Sequence, residues 1–156
     1  MKSPLFRRVL RNPRLLPYCA EGLAELAFCK LLILFFPFRS WNRRRGSFQS
    51  ETLREDMSAR MPLLNAIRRS LEISSRFVPW PSKCLDQALA AQRMAARRGL
   101  ATTIYYGMVR GEDGKWTAHA WVRCGNQWLI GHQPGVPYTV VGTSTRIPLK
   151  TPLSLY

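Results

Sequence analysis

The stretch PSKCLDQALAAQRMAARRGL, Pro81 to Leu100, decides how the rest of the chain must be read. Leu85, Ala88, Leu89, Ala91, Ala95 and Ala96 recur at helical spacing, and Arg97, Arg98 and Gly99 form a C-terminal stop signal. A helix is therefore predicted from Lys83 to about Arg98, and its small alanines let a neighbouring element approach closely. The prolines of "VPWPS" impose an extended lead-in and leave Ser82 placed to cap the helix. Cys84 then falls in the first turn. There it faces amides without intrahelical partners and the positive end of the helix dipole, both of which favour a thiolate over a thiol.

Downstream the periodicity changes from helical to alternating. "ATTIYYGMVR", the turn "GEDGK", "WTAHAWVR", the turn "CGNQ" and "WLIGHQ" read as an antiparallel meander. His119 lies on its second strand. A histidine beside a helix-opening cysteine can act as general base toward the thiol and general acid toward a leaving amine, with backbone amides near Cys84 as the oxyanion site. The structural alternative is a packed cysteine and a histidine held by an ordinary polar partner. Cysteine first, on a helix, and histidine second, on a following sheet, is the order of papain-like and transglutaminase-like folds. The expected class is α+β, a Cys-bearing helix against an antiparallel sheet with an N-terminal helical layer packed on that core.

Upstream, residues 1–20 are basic and carry prolines at positions 4, 13 and 17, which suggests an arm of short helical pieces. A helix from about Ala20 to Phe36 is closed by Pro37, and "RSWNRRRGS" with Gly46 reads as a linker. A boundary there divides a basic helical subdomain, residues 1–46, from a core over residues 47–156. "LAELAFCKLLILFFPF", residues 23–38, is apolar but interrupted by Glu25 and Lys30, and it falls short of the ~20 apolar residues of a span. It is expected to be a buried helix, with peripheral membrane contact as the alternative. From Ser50, "SETLREDMSARMPLLNAIRRSLEISSRF" predicts helix capped by Ser50 and split in two at Pro62.

Composition bounds the function. The 156 residues suit one domain with one active site, and a net charge of +15 attracts nucleic acid, anionic lipid or an acidic protein. Ten basic and two acidic residues lie in the first 45, so the excess is concentrated there. Aromatic residues are not interleaved with the basic ones as a nucleic-acid stacking platform requires, so no specific nucleic-acid partner is expected. Cys19, Cys29, Cys84 and Cys124 make no C-x-x-C pair, which disfavours a structural zinc site. No cleavable secretory signal follows the basic start, so free thiols in a reducing cytoplasm are expected.

"KCLDQALAAQRMAARRGL", "GMVR", "AHAWVRCGNQWLIG" and "YTVV" resemble, in order and spacing, the transglutaminase-like leader peptidases of lasso-peptide biosynthesis. "LLILFFPFRSW" is similar to the helical N-terminal part of their stand-alone members. The resemblance implies a cysteine protease that removes the leader from a ribosomally made precursor peptide, with Cys84 as nucleophile and His119 as base. It implies two partners, a small leader-recognition protein and an ATP-dependent cyclase that closes the macrolactam. No phosphate cradle is present, so no cofactor is expected on this chain and ATP should belong to the cyclase. A non-catalytic peptide- or partner-binding module on the same scaffold is the alternative.

One feature of that family is missing, because no Asp or Glu follows His119 to orient its ring. If Gly125 and Asn126 form a two-residue turn, the register pairs His119 with His132 across the hairpin. His132 is therefore the expected orienting residue, ahead of Asp86, Glu112 and Asp113, with a backbone carbonyl as the remaining candidate. Trp121, inside "HAWV", is read as core packing.

Overall fold

Helix α4, Cys84–Ala96, is buried on nearly every side, at Asp86, Ala88 through Gln92, Met94 and Ala95. The alanine-rich sequence makes this possible, since a thin helix fits between two layers without leaving voids. The computed structural model describes residues 13–43 and 49–148. On one side of α4 lies a four-stranded antiparallel sheet: β1 Thr102–Arg110, β2 Trp116–Cys124, β3 Gln127–Ile130 and β4 Thr139–Arg146, ordered β3-β2-β1-β4. On the other side lie α1, Leu16–Phe35, and α3, Met61–Ser74. A short α2, Phe38–Arg43, follows α1. The architecture is α+β, as expected; the fourth strand returns to the far edge and pairs with β1.

The strands divide their residues by parity. Ile104, Ala120, Val122 and Cys124 face the helices and join Leu64, Ile67, Leu71, Leu89 and Met94 in one core. Leu26 and Cys29 of α1 belong to that same core. Thr103, Tyr105, His119, Trp121 and Arg123 fall on the opposite face by the two-residue period of a strand.

Three local expectations are corrected. Ser50 caps no helix: residues 51–57 run without helical structure beside the outer face, Ser50 Oγ lies 3.1 Å from Thr145 Oγ1, and Thr52 N–H donates to Thr103 Oγ1 at 2.9 Å. Pro62 splits nothing, because it occupies the first turn of α3, where its missing N–H has no intrahelical acceptor to lose. Ser82 does not cap α4. Lys83 holds the cap position, its N–H donates to Asp86 Oδ2 at 3.2 Å, and the Ser82 hydroxyl is buried without a hydrogen-bond partner. The expected boundary at Gly46 lies outside the described residues.

A fourth correction concerns α1, expected to be buried. It turns Cys19, Gly22, Glu25 and Cys29 inward, with Leu26 the one large apolar side chain buried among them. The cause is α4, whose C-terminal arginines need acids. Arg93 and Arg97 pair with buried Glu25, and Glu21 takes Arg97 at 2.9 Å and Arg98 at 2.6 Å. At the other end Lys30 approaches Asp86 at 3.9 Å. Gly22 lets α1 close on α3, since a Cβ there would lie 3.0 Å from Ser74 Oγ. The apolar residues left over, among them Phe28, Leu31, Leu34 and Phe35, face outward. No described helix is long and apolar enough to cross a membrane.

The Arg98 and Arg97 hydrogen bonds hold the Glu21 carboxyl below its usual range. A depressed folded value means the stabilisation is complete above the ordinary glutamate range, about pH 4.3, and is lost as pH falls through the lower folded value. Glu21→Gln should therefore lower the melting temperature at pH 7, and the difference from the parent should shrink as pH falls below the ordinary glutamate range and the parent's carboxyl takes up its proton. An equal loss at every pH would show that the pairing is not electrostatic.

Candidate active site

Cys84 and Gln87 from the start of α4, His119 from β2, Ile130 at the end of β3 and Gly131 to Gln133 just beyond it line one cavity of about 280 Å³. The topology opens this space. β3 is only four residues long, so the edge of β2 beside His119 is met by departing chain rather than by a strand.

Gly125 and Asn126 do form the two-residue turn, with Cys124 paired to Gln127. The register then shifts. Arg123 faces Trp128 but Val122 faces Ile130, which leaves Leu129 as the extra residue of a bulge. The main-chain carbonyls on this open edge are taken by Arg68 of α3, whose Nη2 donates to Trp128 O at 2.6 Å and Nε to Leu129 O at 2.9 Å. This one-residue shift removes the expected pairing of His119 with His132. His132 instead stacks on Trp128, ring centroids 4.2 Å apart, and remains on the cavity wall.

The shift brings Gly131 O against the His119 ring, 2.6 Å from Nε2. A carbonyl only accepts, so Nε2 carries a hydrogen, and in the neutral ring Nδ1 is then the nitrogen with the free lone pair. The acceptor that a carboxylate would have supplied is thus a main-chain oxygen. Gly131 is glycine for two reasons: its φ is +81°, and a Cβ would lie 2.8 Å from Ala120 O. The strand-ending glycine of "WLIGHQ" was the available signal, but nothing in its sequence announced a bulge two residues earlier.

The His119 ring is fixed from other sides by aromatic neighbours. Tyr138 stacks on it at 5.1 Å and Trp121 at 6.0 Å. Trp121 is buried, as read from the sequence, but on the histidine's face of the sheet rather than against α4. Its ring lies over Gly107, the residue paired with His119, where a Cβ would meet the indole at 2.6 Å. Asp86 is turned to the Lys83 amide and Lys30, and Glu112 and Asp113 sit in the exposed β1–β2 turn. None of these three carboxylates lines the cavity.

Of the four thiols, Cys84 alone is half-buried; the others are buried. Burial pushes the Cys124 thiol up to about 11 and raises that of Cys19 as well. Iodoacetamide at neutral pH should therefore modify Cys84 first in the folded protein, with peptide mass spectrometry as the readout. Equal early labelling of Cys124 would show that the core opens.

A helix-opening cysteine and a strand histidine across one cavity define a transglutaminase-like core. The chain belongs to the transglutaminase-like superfamily, whose family model matches residues 32–143. No curated protein and no solved structure matches it.

Proposed function

We propose that the protein is a cysteine peptidase that removes the leader from a ribosomally synthesised lasso-peptide precursor. The observation that carries the chemistry is the shared cavity of Cys84 and His119, with the ring's Nε2–H held by Gly131 O. The transglutaminase-like superfamily commonly carries cysteine protease activity, which supports this reaction class. The choice of substrate rests on the motifs "KCLDQAL" and "AHAWVRCGNQWLIG".

In this reading the Cys84 thiol passes its proton to His119 Nδ1 as sulfur adds to the scissile carbonyl. The unpaired amides at the start of α4 receive the developing oxyanion. The C–N bond breaks, the imidazolium returns the proton to the leaving amine, and a thioester remains. Water, deprotonated by His119, cleaves the thioester to release the leader carboxylate and restore the thiol. A leader-recognition protein delivers the precursor, and an ATP-dependent cyclase consumes the freed amine in a cytoplasmic sequence.

The test is incubation with a lasso-type precursor and its recognition protein, followed by mass spectrometry. Release of the intact leader supports the proposal; an uncut precursor alongside an active cyclase overturns it. The orienting group can be tested in the same assay. His132→Ala should raise KM as a cavity wall is lost, with kcat held within about threefold. A kcat loss as deep as that of His119→Ala would return the orienting role to His132.

A further inference from the structure

Every exposed residue of α1 is apolar: Leu16, Pro17, Ala20, Leu23, Ala24, Phe28, Leu31, Leu34 and Phe35. Its three charged residues, Glu21, Glu25 and Lys30, are buried or half-buried against α4. This inverts the usual surface helix, whose apolar stripe faces the core. Phe36 and Phe38 extend the exposed apolar strip past the helix end. Leu31, Leu34 and Phe35 are 54%, 64% and 73% exposed, too contiguous to be the scattered apolar residues of an ordinary surface.

We infer that this face seats the protein on an anionic membrane surface. The charge distribution selects that occupant. Exposed Arg14 and Arg39 flank the strip, and the sequence adds Lys2, Arg7, Arg8 and Arg11 before it and Arg43, Arg44 and Arg45 after it. Each basic residue near an anionic leaflet contributes attraction, and buried apolar side chains supply the rest. A second copy is disfavoured because two chains of +15 repel.

The experiment is co-sedimentation with phosphatidylcholine vesicles, with and without phosphatidylglycerol. The protein should pellet with the phosphatidylglycerol vesicles alone. The Leu31→Gln, Phe35→Gln double variant should bind about a hundredfold more weakly at a nearly unchanged melting temperature, because both side chains are more than half exposed in the free protein. Failure of the parent to pellet overturns the inference. So does undiminished binding by the double variant, which would leave charge alone. A dimer in light scattering that this variant converts to monomer assigns the face to self-association and also overturns it.

A second cleft carries an independent inference, one that rests on the peptidase reading. Tyr105, Trp121, Trp128, Tyr138 and Val140 enclose about 210 Å³, and His132 and Gln133 form the wall shared with the Cys84 cavity. The aromatic planes meet at different angles. Tyr105 lies parallel to Trp121 at 5.7 Å and edge-on to Trp128 at 5.7 Å. No Lys, Arg, Asp or Glu lines the cleft among the described residues. The Arg123 guanidinium already lies 5.8 Å from the Tyr105 ring, which disfavours a cationic guest.

We propose that this cleft takes a bulky apolar side chain of the peptide substrate beside the scissile bond. The test uses N-acetyl aminoacyl chloromethyl ketones, in which the Cys84 sulfur displaces chloride and forms a thioether. The Phe and Leu ketones should modify Cys84 at least about tenfold faster than the Ala or Lys ketones. Val140→Asp, at an exposed strand position, should collapse the Phe-to-Ala rate ratio. Equal rates for Phe and Ala, with Cys84 still the first thiol alkylated by iodoacetamide, overturn the subsite and leave the nucleophile standing. A faster Lys ketone overturns the apolar assignment. A Cys84 inert to every reagent overturns both readings.

Discussion

Cys84→Ala is expected to abolish leader removal, lowering turnover by ~10⁴-fold or more, because no other group on the cavity wall can form the thioester. His119→Ala should fall nearly as far, since the remaining thiol loses both its base and the acid for the leaving amine. The two losses should not add, because nucleophile and base act as a unit. Cys19→Ser, Cys29→Ser and Cys124→Ser provide the contrast. Cys29 and Cys124 are fully buried, so a hydroxyl in their place costs about 1–3 kcal/mol of stability, yet the rate per folded molecule should stay at the parent's level. Single-turnover cleavage of a precursor, normalised to folded protein, separates these outcomes. Parent-like cleavage by Cys84→Ala would remove the peptidase reading altogether.

The parts of this site differ in how far they could be read in advance. The α4 helix was legible because its signals are local: spaced alanines and leucines, two prolines before it and Arg-Arg-Gly after it. The β1–β2–β3 meander was legible for the same reason, each turn being marked by glycine. The return of β4 to the opposite edge was not, since strand order is decided by long-range pairing. Residues 50–57 carried a helical pattern at Leu53 and Met57, yet Thr52 and Glu55 give their main-chain groups to Thr103 and Asn126. Tertiary hydrogen bonds overrode the local preference. The orienting acceptor of His119 was hidden by a bulge at Leu129 that depends on the strand's position at an edge. Backbone groups carry no sequence signature, so a main-chain acceptor could be named only as a class.

The outward face of α1 is hidden in the sequence for a related reason. Apolar content of "LAFCKLLILFF" reads as core unless the charged residues beside it have stronger claims on the interior. Glu21 and Glu25 have such claims, because Arg93, Arg97 and Arg98 cluster at the end of α4. Two residues of one helix thereby set which of its sides the whole layer turns outward.

Arg123→Met should cost about 3–5 kcal/mol, the largest single loss of stability expected outside the hydrophobic core, because each buried polar group left without its donor costs about 1–3 kcal/mol. Arg123 is 1% exposed, on the outer face of β2. Its Nε donates to Tyr105 Oη at 2.8 Å, Nη1 to Gly125 O at 2.6 Å, and Nη2 to Thr52 O at 2.9 Å and Glu51 Oε2 at 3.1 Å. Methionine keeps the length and apolar stem but leaves two main-chain carbonyls and a phenol oxygen without these donors. Those donors also tie residues 51 and 52 across the sheet, so their loss should release the segment that lies beside the Tyr105–Trp121–His119 stack. Glu51, the charged partner, is half-exposed, and water can replace it. Glu51→Gln should therefore cost less than about 1 kcal/mol. Arg123→Lys should lie near the methionine variant, because an ammonium cannot reach four acceptors in one plane. Denaturant unfolding of the three variants gives the comparison. If Arg123→Met loses no more than Glu51→Gln, the guanidinium is solvated and the anchoring of residues 51 and 52 must come instead from the Thr52–Thr103 pair.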